Sequence, residues 1–290
     1  PPPSQNENAE RRKNDHRGKM KKLTVLSLGA GVQSTCLALM AAKGEVAPMP
    51  DYAIFADTAE PRHVYEHLEW LEEQLPFPVI TVKHKDIWKD VVKSAKEGDR
   101  VANPPFYTKN KDGSKAILKR GCTIEYKVKP IQRKIRQLLG LKKGQRVKDA
   151  HVEQWIGISF DERTRMKMSM DKWVTNRWPL IEKEMTRADC YRWIEENGYP
   201  KPPRSACIFC PYHNNDYWRY LKTEWEEEWE EACEFDDLIR KGVNRKSASM
   251  SAEELYLHSD LVPLREVDLS TDVDRGQMTF LDDCSGHCHD

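Results

Sequence analysis

The sequence predicts an α/β fold, a doubly wound parallel sheet followed by a helical, cysteine-bearing C-terminal part. Short apolar runs of strand type alternate with longer helical patterns, which implies parallel strands with helices on both faces. A glycine loop, SLGAGVQS (27–34), joins the first of those strands to the first helix, and no internal repeat competes with this reading.

The elements follow in order. Residues 23–28 (LTVLSL) form a strand and 34–43 a helix carrying Cys36, Leu37, Leu39 and Met40. YAIFA (52–56) is a second strand. A helix over 61–75 follows, with Pro61 suited to its first turn and Val64, Leu68, Leu71 and Leu75 on one face. PVITV (78–82) and VEQWIGI (152–158) are the third and fourth strands. Between them, 86–118 is polar and reads as an inserted helix with loops, and 129–139 as a basic helix. Thr186 and Asp189 open a helix that runs to Asn197 and stops at Gly198. A last helix over 216–240 carries Trp218, Leu221, Trp225 and Trp229 as a core stripe, with its acidic residues on the wet face.

The chain of 290 residues holds 47 Lys and Arg against 47 Asp and Glu, so no global field draws it to nucleic acid. The charge is local instead. Residues 107–148 carry 14 basic residues against two acids, and 224–237 carry nine acids and no base. No apolar run nears the roughly 20 residues that span a bilayer and no signal peptide pattern is present, so a cytoplasmic protein without a membrane partner is expected. Residues 1–22 lack apolar periodicity and read as a disordered lead-in, with Met20 suited to be the natural start. Domain expectations are thus 1–22, a nucleotide-binding α/β domain over 23–240, and an extension with a Cys/His tail over 241–290.

The loop offers backbone amides and a helix N-terminus to an anion. It lacks the lysine of a Walker A loop. Gly29, Gly31 and Ser34 approximate the dinucleotide fingerprint, with Asp57 at the end of strand two as its ribose acid. The loop, SxGxGxxS, also resembles the SxGxxS loop of the adenine nucleotide α-hydrolase superfamily through Ser27, Gly29, Gly31, Gln33 and Ser34, and glycines that simply make a tight turn are a third account.

Five stretches together carry a resemblance: SLGAGVQS, FADTAEP (55–61), GCTIEYKVKPI (121–131), GISFDERTR (157–165) and the segment 178–211 ending SACIFCP. Over roughly residues 23–235 the chain resembles the phosphoadenosine phosphosulfate (PAPS) reductase-like family of that superfamily, whose fold is Rossmann-like. The resemblance implies an enzyme that binds an adenine nucleotide, ATP or a sulfonucleotide, at Ser27, Gly29, Gly31, Gln33, Ser34, Asp57 and Thr58. It implies that Lys127, Arg163 and Arg165 steady the phosphates. Cys122-Thr123 stands where the family's reductases carry a Cys-Cys pair, and the chain ends DDCSGHCHD where they end Glu-Cys-Gly-Leu-His.

Eight cysteines in such a chain point to metal or catalysis before disulfides. Cys207 and Cys210 form a CxxC, able to ligate one metal or two irons of one cluster. With Cys122, in its cationic segment, and Cys190 they make four thiolates from three segments. The family favours a [4Fe-4S] cluster for them, with zinc the alternative. In the tail, Cys284 and Cys288 are candidate mobile nucleophiles. The expected activity is sulfonucleotide reduction with a protein reductant. The alternatives are ATP-dependent sulfur transfer to tRNA or DNA, tracked along 107–148, and a non-catalytic accessory role on the same fold.

Overall fold

The computed structural model describes residues 20–83, 85–110, 112–243, 254–270 and 274. The fold is mixed α/β. Strands β1 (Lys21–Leu28), β2 (Tyr52–Ala56), β3 (Val79–Val82), β6 (Ala150–Ile156) and β7 (Val174–Arg177) form one parallel sheet in the order β3-β2-β1-β6-β7. Strands β4 (Tyr107–Lys109) and β5 (Lys115–Ile117) form a separate antiparallel hairpin. The chain departs from β1 toward β2 on one side and reaches β6 on the other, so the strand order reverses between β1 and β6.

Alternation along each strand splits the core into two faces, as a period of two requires. Leu26, Leu28, Ala53, Phe55 and Trp155 pack under α1 (Val32–Ala42), α2 (Arg62–Gln74) and α6 (Arg187–Glu196). Val25, Ile54, Ala56, Val152 and Val174 face Ile131 and Ile135 of α4 (Lys129–Leu138). Helix α1 is buried from Ser34 to Ala41, because it lies between the sheet and α6. The Thr186 hydroxyl accepts from Asp189 N (3.2 Å) while the Asp189 carboxylate accepts from Thr186 N (2.9 Å), the reciprocal cap that the sequence predicts at the start of α6.

A third core joins α3 (Ile87–Glu97), the helices α7 (Asn215–Glu224) and α8 (Glu226–Ile239), and Leu255, Leu257, Leu264, Val267 and Leu269. Asp236 fastens this last segment: its buried carboxylate accepts from Leu257 N (2.7 Å) and Leu264 N (3.0 Å) and pairs with Arg240. The helix expected over 216–240 is two helices, broken at Trp225 (φ −138°, ψ 63°). Glu226, Glu227 and Glu228 then occupy a first turn, where the helix dipole favours acids. Trp218, Leu221 and Trp229 are core, as their spacing predicts, whereas Trp225 is only partly buried and Glu228 and Asp236, expected on the wet face, are buried. Strand β7 and the β4–β5 hairpin are additions; at three or four residues each, neither carries enough periodicity to be read.

One turn of π-helix (Thr123–Val128) runs directly into α4, so Cys122 stands at the head of a wide turn and Lys127 within it.

His67 on α2 sits 8% exposed, its Nε2 3.1 Å from the Thr35 hydroxyl of α1, and burial lowers its pKa to about 4. The folded state therefore refuses a proton that the unfolded chain accepts near pH 6.5, so this contribution to stability is present above pH 6.5 and is lost as pH falls toward 4. The loss reaches at most about 3.5 kcal/mol, at about 1.4 kcal/mol per pKa unit. Denaturant titrations of wild type and His67→Gln between pH 7.5 and 4.5 should show a shallower acid-side decline in the variant. Parallel curves would remove His67 from the account.

Candidate nucleotide and thiol site

At the carboxyl ends of β1 and β6 the glycine loop turns into α1. Its hydroxyls are committed in a defined way. Ser34 Oγ accepts from Gly29 N (3.1 Å) and donates to Gly31 O (3.1 Å), folding the helix start over the loop. Ser27 Oγ accepts from Gln154 Nε2 (2.7 Å), which leaves its own proton for a ligand. Gln33 reaches across to Ser159 (3.5 Å).

The left-handed residue of this loop is Ala30 (φ 56°), and neither Gly29 nor Gly31 has positive φ. A Cβ on Gly29 or Gly31 would lie 3.6 and 3.5 Å from its nearest protein neighbours, an ordinary contact. Neither backbone strain nor internal crowding therefore requires these glycines, and the tight-turn account of them fails. What they do is bare the main chain toward the cavity that both residues line. Gly157, just past β6, differs: a Cβ there would meet Ser34 N at 2.9 Å and Ser34 Cα at 3.0 Å. It is the glycine that lets the head of α1 seat against the sheet.

The cavity, about 390 Å³, lies within the size range of small-molecule sites. Ser27, Gly29, Gly31, Gln33, Ser34 and Thr58 line it, and so do Cys122, Cys207 and Cys210. Five cationic side chains face it, namely Arg120, Lys127, Arg165, Arg187 and Arg204, against one lining carboxylate, Glu162, which pairs with Arg165. Of these, Arg120, Arg187 and Arg204 lie within or beside quoted motifs, yet nothing in the sequence sets them apart from surface arginines.

Two expected ligand contacts fall elsewhere. Asp57 accepts from the Tyr65 hydroxyl (2.6 Å) and Ala59 N (3.1 Å) and pairs with Lys83 (3.2 Å); these partners hold its carboxyl below the usual range against the effect of burial. It braces the turn in which Ala59 has φ 59°, and the cavity lining contains Thr58 but not Asp57. Arg163 is exposed and lies over the Phe160 ring (4.9 Å), with Arg165 two residues on taking the cavity position.

The thiols divide three to one. Cys190 is fully buried in the core under α1, hydrogen-bonded with Cys36, so the structure does not bring it to the other three; a small apolar side chain is what that helix face needs. Cys207 and Cys210 share a turn, Cys210 N donating to Cys207 O (3.0 Å), and their thiols are hydrogen-bonded. That bond, together with the Tyr212 amide, Arg120 and Lys127, brings the Cys210 thiol down to about 7 despite burial. The same pairing, with burial, drives Cys207 up, and burial raises Cys122 in spite of Arg120. His213, buried and held neutral with a pKa near 3, donates from Nε2 to Cys207 O (2.9 Å) and so braces the loop.

Among the described residues no three His, Cys, Asp or Glu side chains stand close enough to hold a single metal ion, so the four-thiolate zinc site is not formed. A cluster makes a different demand, because each thiolate binds a separate iron. Three soft thiol donors in one cavity lining, with Arg120 and Lys127 near Cys210 to offset negative charge, suit that group. Cys284 and Cys288 lie outside the described residues. Among those described, no helix is long and apolar enough to cross a membrane.

No family model matches the sequence, and no curated protein is similar to it at a meaningful level. Among solved structures the chain is similar to the U34-tRNA thiolase NcsA from Methanococcus maripaludis with its [4Fe-4S] cluster. The identity is 12%, covering 86% of this chain and 82% of that one, with a TM-score of 0.35. That score is too low for the likeness to decide fold or chemistry, which rest on the sheet order and the cavity themselves.

Gly157→Ala should cost about 1–3 kcal/mol in urea unfolding, the usual penalty of overpacking. A variant as stable as wild type would show that the contact with Ser34 relaxes freely.

Proposed function

We propose that this chain is an ATP-using sulfurtransferase of the adenine nucleotide α-hydrolase type, acting on a carbonyl of a nucleic-acid base. One observation carries the reading: bare loop amides, five cations and three thiols line a single cavity. A nucleotide polyphosphate uses the first two, and sulfur chemistry uses the third.

The amides of 30–34 and the N-terminus of α1 hold the phosphates, the Ser27 hydroxyl donates to them, and Arg165 and Arg187 offset their charge. The acceptor's carbonyl oxygen attacks the α-phosphorus, the bond to the β-phosphate breaks, and pyrophosphate leaves. Inorganic sulfide then forms the carbon–sulfur bond, and AMP departs with the former carbonyl oxygen. Cys122, Cys207 and Cys210 would hold an iron–sulfur cluster, which supplies an iron lacking a protein thiolate at which sulfide binds. The basic residues of 107–148, of which Arg120 and Lys127 reach the cavity, would receive the nucleic-acid backbone. Sulfonucleotide reduction shares the nucleotide site but draws its nucleophile from Cys284 or Cys288.

Anaerobic purification with iron and sulfide analysis tests the proposal, followed by incubation with ATP, sulfide and bulk tRNA and, separately, with a sulfonucleotide. Expected are about four irons per chain, pyrophosphate release, and sulfur label in the RNA. Sulfite release from the sulfonucleotide would select reduction, and turnover of neither would leave an accessory role. Cys122→Ser, Cys207→Ser and Cys210→Ser should each lose iron, and Cys190→Ser should keep it; iron loss in the last would restore the four-cysteine ligand set.

A further inference from the structure

Behind the cavity lining lies a buried carboxylate that the sequence does not single out. Glu60 is 2% exposed and is not itself part of the lining. It accepts from the Thr58 hydroxyl (2.8 Å), the Ser205 hydroxyl (3.3 Å) and Lys127 Nζ (3.2 Å). Thr58, Ser205 and Lys127 all line the cavity, and Ser205 packs beside Gly31. The turn that carries Glu60 is fixed on both sides. Glu60 N donates to the Tyr65 hydroxyl (3.1 Å), which is held by Asp57, and Ile208 N of the thiol loop donates to Ala59 O (3.0 Å).

A hydroxyl has one proton and two lone pairs. Thr58 and Ser205 both direct that proton to Glu60, so toward the cavity each can only accept. Ser27 is the reverse: its oxygen accepts from Gln154, which leaves its proton for a ligand. The lining hydroxyls thus differ in sense, Ser27 offering a donor and Thr58 and Ser205 only acceptors. Lys127 also lines the cavity; one of its three ammonium protons goes to Glu60, whose carboxylate offsets its charge.

We infer that Glu60 is a specificity-determining residue: by taking the protons of Thr58 and Ser205, it makes those two positions demand a hydrogen-bond donor from the ligand, which an ionised phosphate oxygen cannot be. In a nucleotide the donor is a ribose hydroxyl or the amino group of the base. This rests on the nucleotide binding proposed above, and it adds which part of the nucleotide meets Thr58 and Ser205.

Titration calorimetry on the iron-free chain tests it with ATP and inorganic tripolyphosphate, which shares the phosphates and lacks ribose and base. Thr58→Val, close in shape and without the acceptor, should weaken ATP about tenfold, the worth of one net hydrogen bond, and leave tripolyphosphate within about twofold. Glu60→Gln should lower the ATP-to-tripolyphosphate affinity ratio at least as far, and Glu60→Asp should recover part of it. A purely structural role would weaken both probes together. With the wild type, 2′-deoxy-ATP and 3′-deoxy-ATP identify a ribose donor, and inosine triphosphate a base amino group, by the analogue that loses about tenfold. If wild type binds ATP and the variants change both probes in parallel, the inference fails alone; if wild type binds tripolyphosphate but not ATP, the nucleotide reading fails with it.

Discussion

The close seat of α1 against the end of β6 is the contact on which the site depends. Because the strand order reverses between β1 and β6, the chain segments leaving these two strands diverge and open a crevice. That crevice binds nothing unless the N-terminus of α1 points into it. Gly157 permits the approach, since any side chain there would press on Ser34. The Ser34 hydroxyl, bonded to Gly29 N and Gly31 O, then ties the loop to the helix it feeds. Helix α1 is buried on nearly every face, so it has no freedom to tilt away.

The lining at Thr58 and Ser205 is set by a second constraint of equal consequence. The turn after β2 places Ala59 in a left-handed conformation, which costs a residue with a Cβ of order 1 kcal/mol or more. Asp57 offsets that cost through Ala59 N and Tyr65. The turn in turn anchors the thiol loop through Ala59 O and Glu60. Nucleotide loop and thiol loop, 170 and more residues apart in sequence, are thereby referred to adjacent strands of one sheet. A buried carboxylate with three donors is stable there; with none it would be costly.

How far the sequence revealed this follows from the range of each interaction. Strands β1, β2, β3 and β6 and the cap of α6 were legible because period and capping are local signals. The break at Trp225 was signalled by three successive glutamates, but the tryptophan spacing on either side reads continuously as one helix. Cys190 shows the limit from the other direction: as a thiol near a CxxC in sequence it looks like a ligand, and only the pairing of α1 with α6 shows it buried beside Cys36. Arg165 and Arg163 are indistinguishable by type, and the turn of 3-10 helix at Phe160–Arg165 decides which reaches the cavity. Glu60 was invisible for a deeper reason. Its partners Lys127 and Ser205 are 67 and 145 residues away.

Charge makes the same point about scale. A chain with equal numbers of acids and bases builds a cavity with five cations and one lining carboxylate. The acids have been spent on structure. Glu226, Glu227 and Glu228 sit at a helix start, Asp236 clamps the segment that carries Leu257 and Leu264, and Asp57 holds a turn. Glu227 pairs with Arg62, Glu228 accepts from Arg62 N, and Asp57 and Asp236 are held by amides and cations of their own, so much of their field is compensated locally. The net charge of zero therefore says little about what this protein attracts; the partition of its acids between scaffold and site says more.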